Sequence, residues 1–154
     1  MRIEGINHVG ITTADLDRAK RFYGDLLGLV LRAEGVDGPS EALDRLVGLP
    51  GVRLRFAEYH LGGGQILELL EYLSPSGRPL VQRTSDPGSA HVAFEVDDID
   101  ATHSLLVGAG VTVRSTPVVL EDADWRGFRC VYALDPDGFT VEFLQRPGGE
   151  VRPG

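Results

Sequence analysis

An α+β fold of two tandem βαβββ modules is what this sequence predicts, and three observations carry it. The first is an internal repeat. Ile6-Asn7-His8-Val9-Gly10-Ile11, running into Ala14-Asp15-Leu16-Asp17, returns as Ser89-Ala90-His91-Val92-Ala93-Phe94, running into Asp97-Asp98-Ile99-Asp100. At a constant offset of 83, His8 falls on His91, Asp15 on Asp98, Leu16 on Ile99 and Asp17 on Asp100. The second is that the match resumes later in each half. With one residue lost, Gly28-Leu29-Val30-Leu31-Arg32 falls on Gly110-Val111-Thr112-Val113-Arg114, and Ile66-Leu67-Glu68-Leu69-Leu70 falls on Thr140-Val141-Glu142-Phe143-Leu144. The third is that each half shows helical apolar spacing once, among runs of strand type.

The elements follow in order. Ile6 to Thr12 mixes β-branched residues around His8 and reads as a strand. Asp15 is an N-cap, after which Leu16, Ala19, Phe22, Tyr23, Leu26 and Leu27 recur at helical spacing until Gly28 closes the helix. Leu29 to Ala33 reads as the second strand. Residues 35–51 hold turn formers and a short apolar-periodic stretch, Ala42 to Val47, enough for one or two helical turns. Val52 to His60 and Gln65 to Leu73 read as two strands joined through Leu61-Gly62-Gly63-Gly64. The stretch 74–88, with Pro75, Pro79 and Pro87, is expected to link the halves. In the second half, Ala90 to Val96 is a strand, Asp98 caps a helix to Gly108, and Val111 to Arg114 is the next strand. Phe128 to Leu134 and Phe139 to Gln145 flank the turn Asp135-Pro136-Asp137-Gly138. The expected modules are thus 1–73 and 89–146, with a flexible tail at 147–154. They form one structural domain of curved mixed sheets, because neither half buries its concave face alone and must meet the other half or another chain.

A chain of 154 residues, 42% hydrophobic and 25% charged, has the composition of an ordinary globular protein. Its net charge of -8 and lack of basic stripes argue against nucleic acid. Cys130 is the only cysteine, so no internal disulfide forms, which fits a reducing compartment. No apolar run approaches the roughly 18 residues that cross a bilayer. The N-terminus enters a strand pattern without a signal-peptide core, so a cytoplasmic location is expected.

A lone strand histidine is generally a packed or half-exposed residue, and a lone strand glutamate faces solvent. The repeat changes both readings, because it puts His8 with His91 and Glu68 with Glu142 at equivalent positions. Side chains alternate between the faces of a strand, so donors from the first and last strand of each copy can share one concave surface. Related by a pseudo-twofold axis, the four would meet around one divalent ion, in a metal-binding cleft. Two imidazoles and two carboxylates suit zinc, nickel, cobalt, iron or manganese. His60 and His103 have no counterparts and read as surface residues. Glu71, three positions after Glu68, faces the other way. Asp15, Asp17, Asp98 and Asp100 precede apolar helical runs and read as caps.

Trp125, Arg126, Phe128 and Arg129 follow an acidic loop, Glu121-Asp122-Ala123-Asp124. They could wall a substrate pocket with a cationic anchor or simply pack a loop on the sheet. Arg53 and Arg55 are similarly open between a solvated face and a lining for an anionic substrate. Arg55, Trp125, Arg126 and Phe128 are carried forward as substrate-binding candidates. Cys130, without a partner base, reads as a buried thiol.

The segments His8-Val9-Gly10-Ile11, Phe22-Tyr23-Gly24-Asp25-Leu26-Leu27-Gly28-Leu29, Leu67-Glu68-Leu69-Leu70, His91 to Ile99, and Asp135 to Glu142 resemble the vicinal oxygen chelate superfamily. That superfamily includes glyoxalase I, methylmalonyl-CoA epimerase, extradiol dioxygenases and antibiotic-resistance proteins. The resemblance runs from Ile6 to Gln145. It implies paired βαβββ modules and a metal held by His8, Glu68, His91 and Glu142. Glu68 as a fourth ligand looks more like glyoxalase I and the epimerase than like the dioxygenases. The function expected is proton abstraction next to a metal-chelated carbonyl, with Glu142 or Glu68 as the base, on a small oxygen-rich or acyl-thioester substrate. Epimerase, isomerase and glyoxalase-type lyase chemistry all fit. The alternatives are a non-haem Fe(II) dioxygenase using His8, His91 and Glu142, and an antibiotic-binding protein that uses the cleft without chemistry. A homodimer is expected, with the site drawn from one chain or shared across two.

Overall fold

In the first unit, Met1–Pro79, the chain enters β1 (His8–Thr12) and turns at once into a helix. Asp15 starts that helix from an extended backbone, its carboxylate accepting a hydrogen bond from the Arg18 amide. The helix is regular over α1 (Leu16–Lys20) and then widens into a π-helical turn, Arg21–Leu26. Single π turns of this kind are the usual way a helix absorbs an extra residue. Gly24 sits in the widened turn against Tyr59, and a Cβ there would lie 3.1 Å from the Tyr59 hydroxyl. Gly28 leaves the helix at φ +74°, and Gly110, its repeat counterpart, leaves the second helix at φ +73°.

β2 (Val30–Asp37), α2 (Glu41–Val47), β3 (Arg53–His60) and β4 (Ile66–Ser74) complete the unit. β2 is longer than the expected Leu29 to Ala33, because the chain keeps pairing with β3 through Gly35 to Asp37. Ser40 caps α2 by accepting from the Leu43 amide, a signal that falls just before the apolar-periodic stretch. The sheet has the order β1-β4-β3-β2, with β1 parallel to β4 and the other pairs antiparallel.

The second unit, from Leu80 on, repeats the plan with β5 (His91–Glu95), α3 (Ile99–Gly108), β6 (Val118–Val119), β7 (Arg129–Leu134) and β8 (Thr140–Gln145). Its order is β5-β8-β7-β6, and β5 is parallel to β8. The computed structural model describes residues 1–122 and 124–149. Ala123 of the acidic loop and residues 150–154 of the expected tail therefore lie outside the described residues, while Pro147–Gly149 form a short 3-10 turn. The expected strand Val111 to Arg114 is corrected. Only Val113 bridges Ala133, flanked by the bonds from the Leu134 amide to the Thr112 carbonyl and from the Arg114 amide to the Tyr132 carbonyl. Pro117 has no N–H to continue the ladder, which resumes at Val118 and Val119 opposite Cys130 and Arg129. Two four-stranded mixed sheets, each with one principal helix after its first strand, make the fold α+β as expected.

Each sheet buries one face under its helix. Leu16, Ala19, Phe22 and Tyr23 meet Ala57, Tyr59, Leu67 and Leu69 in the first unit, and Ile99 and Leu106 meet Val131, Ala133, Val141 and Phe143 in the second. A duplicated ion pair straps each helix down. Arg55 of β3 donates to both carboxylate oxygens of Asp17 and to Glu71, and Arg129 of β7 donates to both oxygens of Asp100. These partners are repeat equivalents: Asp17 and Asp100 differ by 83, while Arg55 and Arg129 differ by 74, as Glu68 and Glu142 do. Asp17 and Asp100 are thus corrected from caps to arginine partners, and Asp15 and Asp98 alone serve as the N-caps. The guanidinium hydrogen bonds hold both of these aspartates below the usual carboxylate value of 3.8.

Two outcomes test this. Leu69 is fully buried on the helix face while its neighbour Leu70 is half-buried on the other. Leu69→Ala should therefore cost about 2–5 kcal/mol in denaturant unfolding and Leu70→Ala distinctly less; equal losses would contradict the alternation. A carboxyl whose folded pKa lies below its unfolded one stabilises the fold above the unfolded value and loses that contribution as pH falls through the folded one. The double variant Asp17→Asn, Asp100→Asn should be less stable than the parent at neutral pH and converge towards it on the acid side of 3.8. An unchanged gap between the two across that range would show that the pairs carry no such linkage.

Candidate metal and substrate site

Strand register assembles the donors. Gly10 of β1 lies opposite Glu68 of β4, and His8 opposite Ile66, so His8 and Glu68 are diagonal neighbours on the face turned away from the helix. Their closest atoms, His8 Nε2 and Glu68 Oε2, are 3.8 Å apart. The second unit repeats this with Ala93 opposite Glu142 and His91 opposite Thr140, and His91 Nε2 is 3.1 Å from Glu142 Oε2. In both units the residue across from the glutamate is small. A Cβ at Gly10 would sit 3.7 Å from Glu68 Oε2. The structure therefore pairs each histidine with the glutamate of its own unit.

The glutamates are the more sheltered partners. Glu68 and Glu142 side chains are 25% and 14% exposed, against 51% and 46% for His8 and His91. Among the described residues neither carboxylate accepts a hydrogen bond from backbone or from another side chain, although each is largely shielded from water. A carboxylate held away from water is stabilised by positive charge beside it, and a cation would supply that charge. Within either unit, among the described residues, no third His, Cys, Asp or Glu joins the pair to make a complete metal group. Each unit offers one nitrogen and one carboxylate, a half-set of the mixed donors that zinc and its neighbours take.

The surroundings of the two pairs differ, and sequence reasoning missed most of them. The Asn7 amide oxygen lies 2.9 Å from His8 Nδ1. Its repeat equivalent is Ala90, and His91 instead packs on Tyr132, ring centroids 5.3 Å apart. Tyr132 lies directly opposite Glu142, as Glu58 lies opposite Glu68. Both could have been found by counting back through the hairpins at Asp135 to Gly138 and Leu61 to Gly64. Glu58 is neutralised by Arg32. Burial, then the charge of Glu142, pushes the Tyr132 phenol and the Cys130 thiol up. Cys130 is buried and stays a thiol, in keeping with its structural reading.

Of the substrate-binding candidates, Arg55 pairs with Asp17 of the helix and with Glu71, and the register puts Arg55 and Glu71 on the helix side of the sheet. Glu71 faces away from Glu68 as expected. Trp125 packs edge-on against Phe128 at 5.2 Å, and the Arg146 guanidinium lies 5.5 Å from the Phe128 ring centroid while pairing with Glu95. Arg126 is exposed, so it supplies the cation of this loop that stays in solvent.

The family model of the Glyoxalase/Bleomycin resistance protein/Dioxygenase superfamily matches residues 5–143. The chain belongs to that superfamily. It is 33% identical over 147 residues to a 2-epi-5-epi-valiolone epimerase from Actinomyces sp, covering 94% of this chain and 80% of that one. It is 26% identical over 155 residues to a lactoylglutathione lyase from Schizosaccharomyces pombe, covering 96% of this chain and 49% of that one. In fold it is similar to the crystal structure of a glyoxalase family protein from Bacillus cereus, with a TM-score of 0.82, 23% identity and coverage of 96% and 97% of the two chains. Among the described residues no helix is long and apolar enough to cross a membrane.

Proposed function

We propose that this chain is a divalent-metal-dependent epimerase that removes and returns a proton on the carbon next to a chelated carbonyl of a small, oxygen-rich substrate. The observation that carries the reading is the repeated imidazole–carboxylate pair, which lies in both units on the sheet face opposite the helix with the carboxylate as the more sheltered partner. His8, Glu68, His91 and Glu142 would hold one zinc, nickel, cobalt, iron or manganese ion, drawn from one chain or from two copies in a homodimer. A divalent ion there supplies Lewis-acid polarisation of the substrate carbonyl, which acidifies the neighbouring C–H. Glu142 takes that proton. It is the less exposed carboxylate, at 14% against 25% for Glu68. Tyr132 and Cys130, both uncharged on the same face, keep the surroundings of that carboxylate neutral. Delivery of a proton from solvent to the opposite face of the carbon inverts it, while Glu142 releases the proton it took to solvent, so composition is unchanged. The relative named as an epimerase of a valiolone supports a polyhydroxylated cyclic ketone as the substrate class.

The test is to strip the protein of metal, titrate it with zinc, nickel or cobalt, and follow deuterium wash-in beside the carbonyl of polyhydroxylated cyclic ketones. One ion per set of four donors and solvent-derived deuterium at a single carbon are expected. Glu142→Gln should lower turnover by about 10²–10⁴, and His91→Ala should abolish it, both with unchanged far-UV spectra. Wild-type turnover in both variants would defeat the mechanism.

A further inference from the structure

We propose that Asn7 is a positioning residue that sets the tautomer of His8, and that the two half-sites are therefore unequal. The consequence for metal binding rests on the metal reading above; the tautomer itself does not. A neutral imidazole carries one ring proton, and the partner of one nitrogen decides the role of the other. The Asn7 carbonyl oxygen lies 2.9 Å from His8 Nδ1, so Nδ1–H donates to it and the Nε2 lone pair is left on the side of Glu68, 3.8 Å away. With the proton on Nε2 instead, an N–H rather than a lone pair would lie on the side of Glu68. Such outer partners orient a ligating histidine and raise its basicity.

Among the described residues nothing equivalent acts on His91. The repeat puts Ala90 where Asn7 stands, and the nearest aromatic neighbour, Tyr132, meets the ring at an interplanar angle of 39°. Stacking of that kind restrains the plane of the ring without choosing which nitrogen is protonated. His91 Nε2 is also closer to its glutamate, at 3.1 Å. The first half-site is thus arranged to present a free nitrogen before an ion arrives, and the second is not. Asn7 itself is exposed and precedes β1, so no packing or ladder role competes with this one.

The tautomers are read by long-range proton–nitrogen NMR correlation on the metal-free full chain, at a pH where the rings are neutral. His8 should show the Nδ1–H pattern in the wild type and in Asn7→Asp, which keeps an acceptor, and should shift to Nε2–H in Asn7→Ala. The His91 pattern should be the same in all three proteins. Zinc titration should then show about 10–100-fold weaker binding for Asn7→Ala, restored in Asn7→Asp. A wild-type His8 protonated on Nε2, a tautomer unmoved by Asn7→Ala, or an affinity unmoved when the tautomer shifts would each overturn the inference. Failure of the wild type to take up zinc, nickel or cobalt at all would sink the metal reading, while the tautomer spectra still decide the role of Asn7.

Discussion

Parallel pairing between the first and last strand of each unit is the constraint on which everything else depends. A strand and its helix cannot return to a parallel neighbour by a tight turn, so the chain must travel through the helix and two further strands before closing β1 on β4 or β5 on β8. That closure brings a histidine from the start of the unit beside a glutamate from its end. Because side chains alternate along each strand, one register step in either pairing would send the glutamate under the helix and leave the histidine alone.

The two faces of each sheet do different work. The helix face is apolar and closed, and its polar element is the aspartate–arginine strap that fastens the first turn of the helix to the third strand. Bidentate geometry suits arginine for this role, since its planar fork meets both carboxylate oxygens at once. The opposite face remains half-open and offers an imidazole and a carboxylate in each unit, with Glu58 beside Glu68 in the first and Tyr132 beside Glu142 in the second. Surface ion pairs contribute little stability alone; here their use is to keep each helix seated so that the strand register beneath it holds.

Duplication preserved the donors and let their neighbours diverge. Asn7 stands where the repeat has Ala90, and Glu58 with its partner Arg32 stands where it has Tyr132. One unit thus surrounds its donor pair with charge and amide, the other with a phenol and a thiol.

The repeat, the caps at Asp15 and Asp98, and the glycines that end both helices were legible in the sequence, because caps, positive φ and periodicity act over a few residues. So was the equivalence of His8 with His91 and of Glu68 with Glu142, since a repeat fixes which residues correspond, while strand register decides which of them meet. What only the tertiary structure decided depends on contacts between distant segments. The run Val111 to Arg114 has the composition of a strand, yet Pro117 and the edge of the sheet reduce it to a bridge. Arg55 looked free to bind an anion until folding brought Asp17 to it from 38 positions away. Counting back through the hairpin at Asp135 to Gly138 sets Tyr132 opposite Glu142, but its meeting with His91 needed the closure of β5 on β8, which no local spacing records.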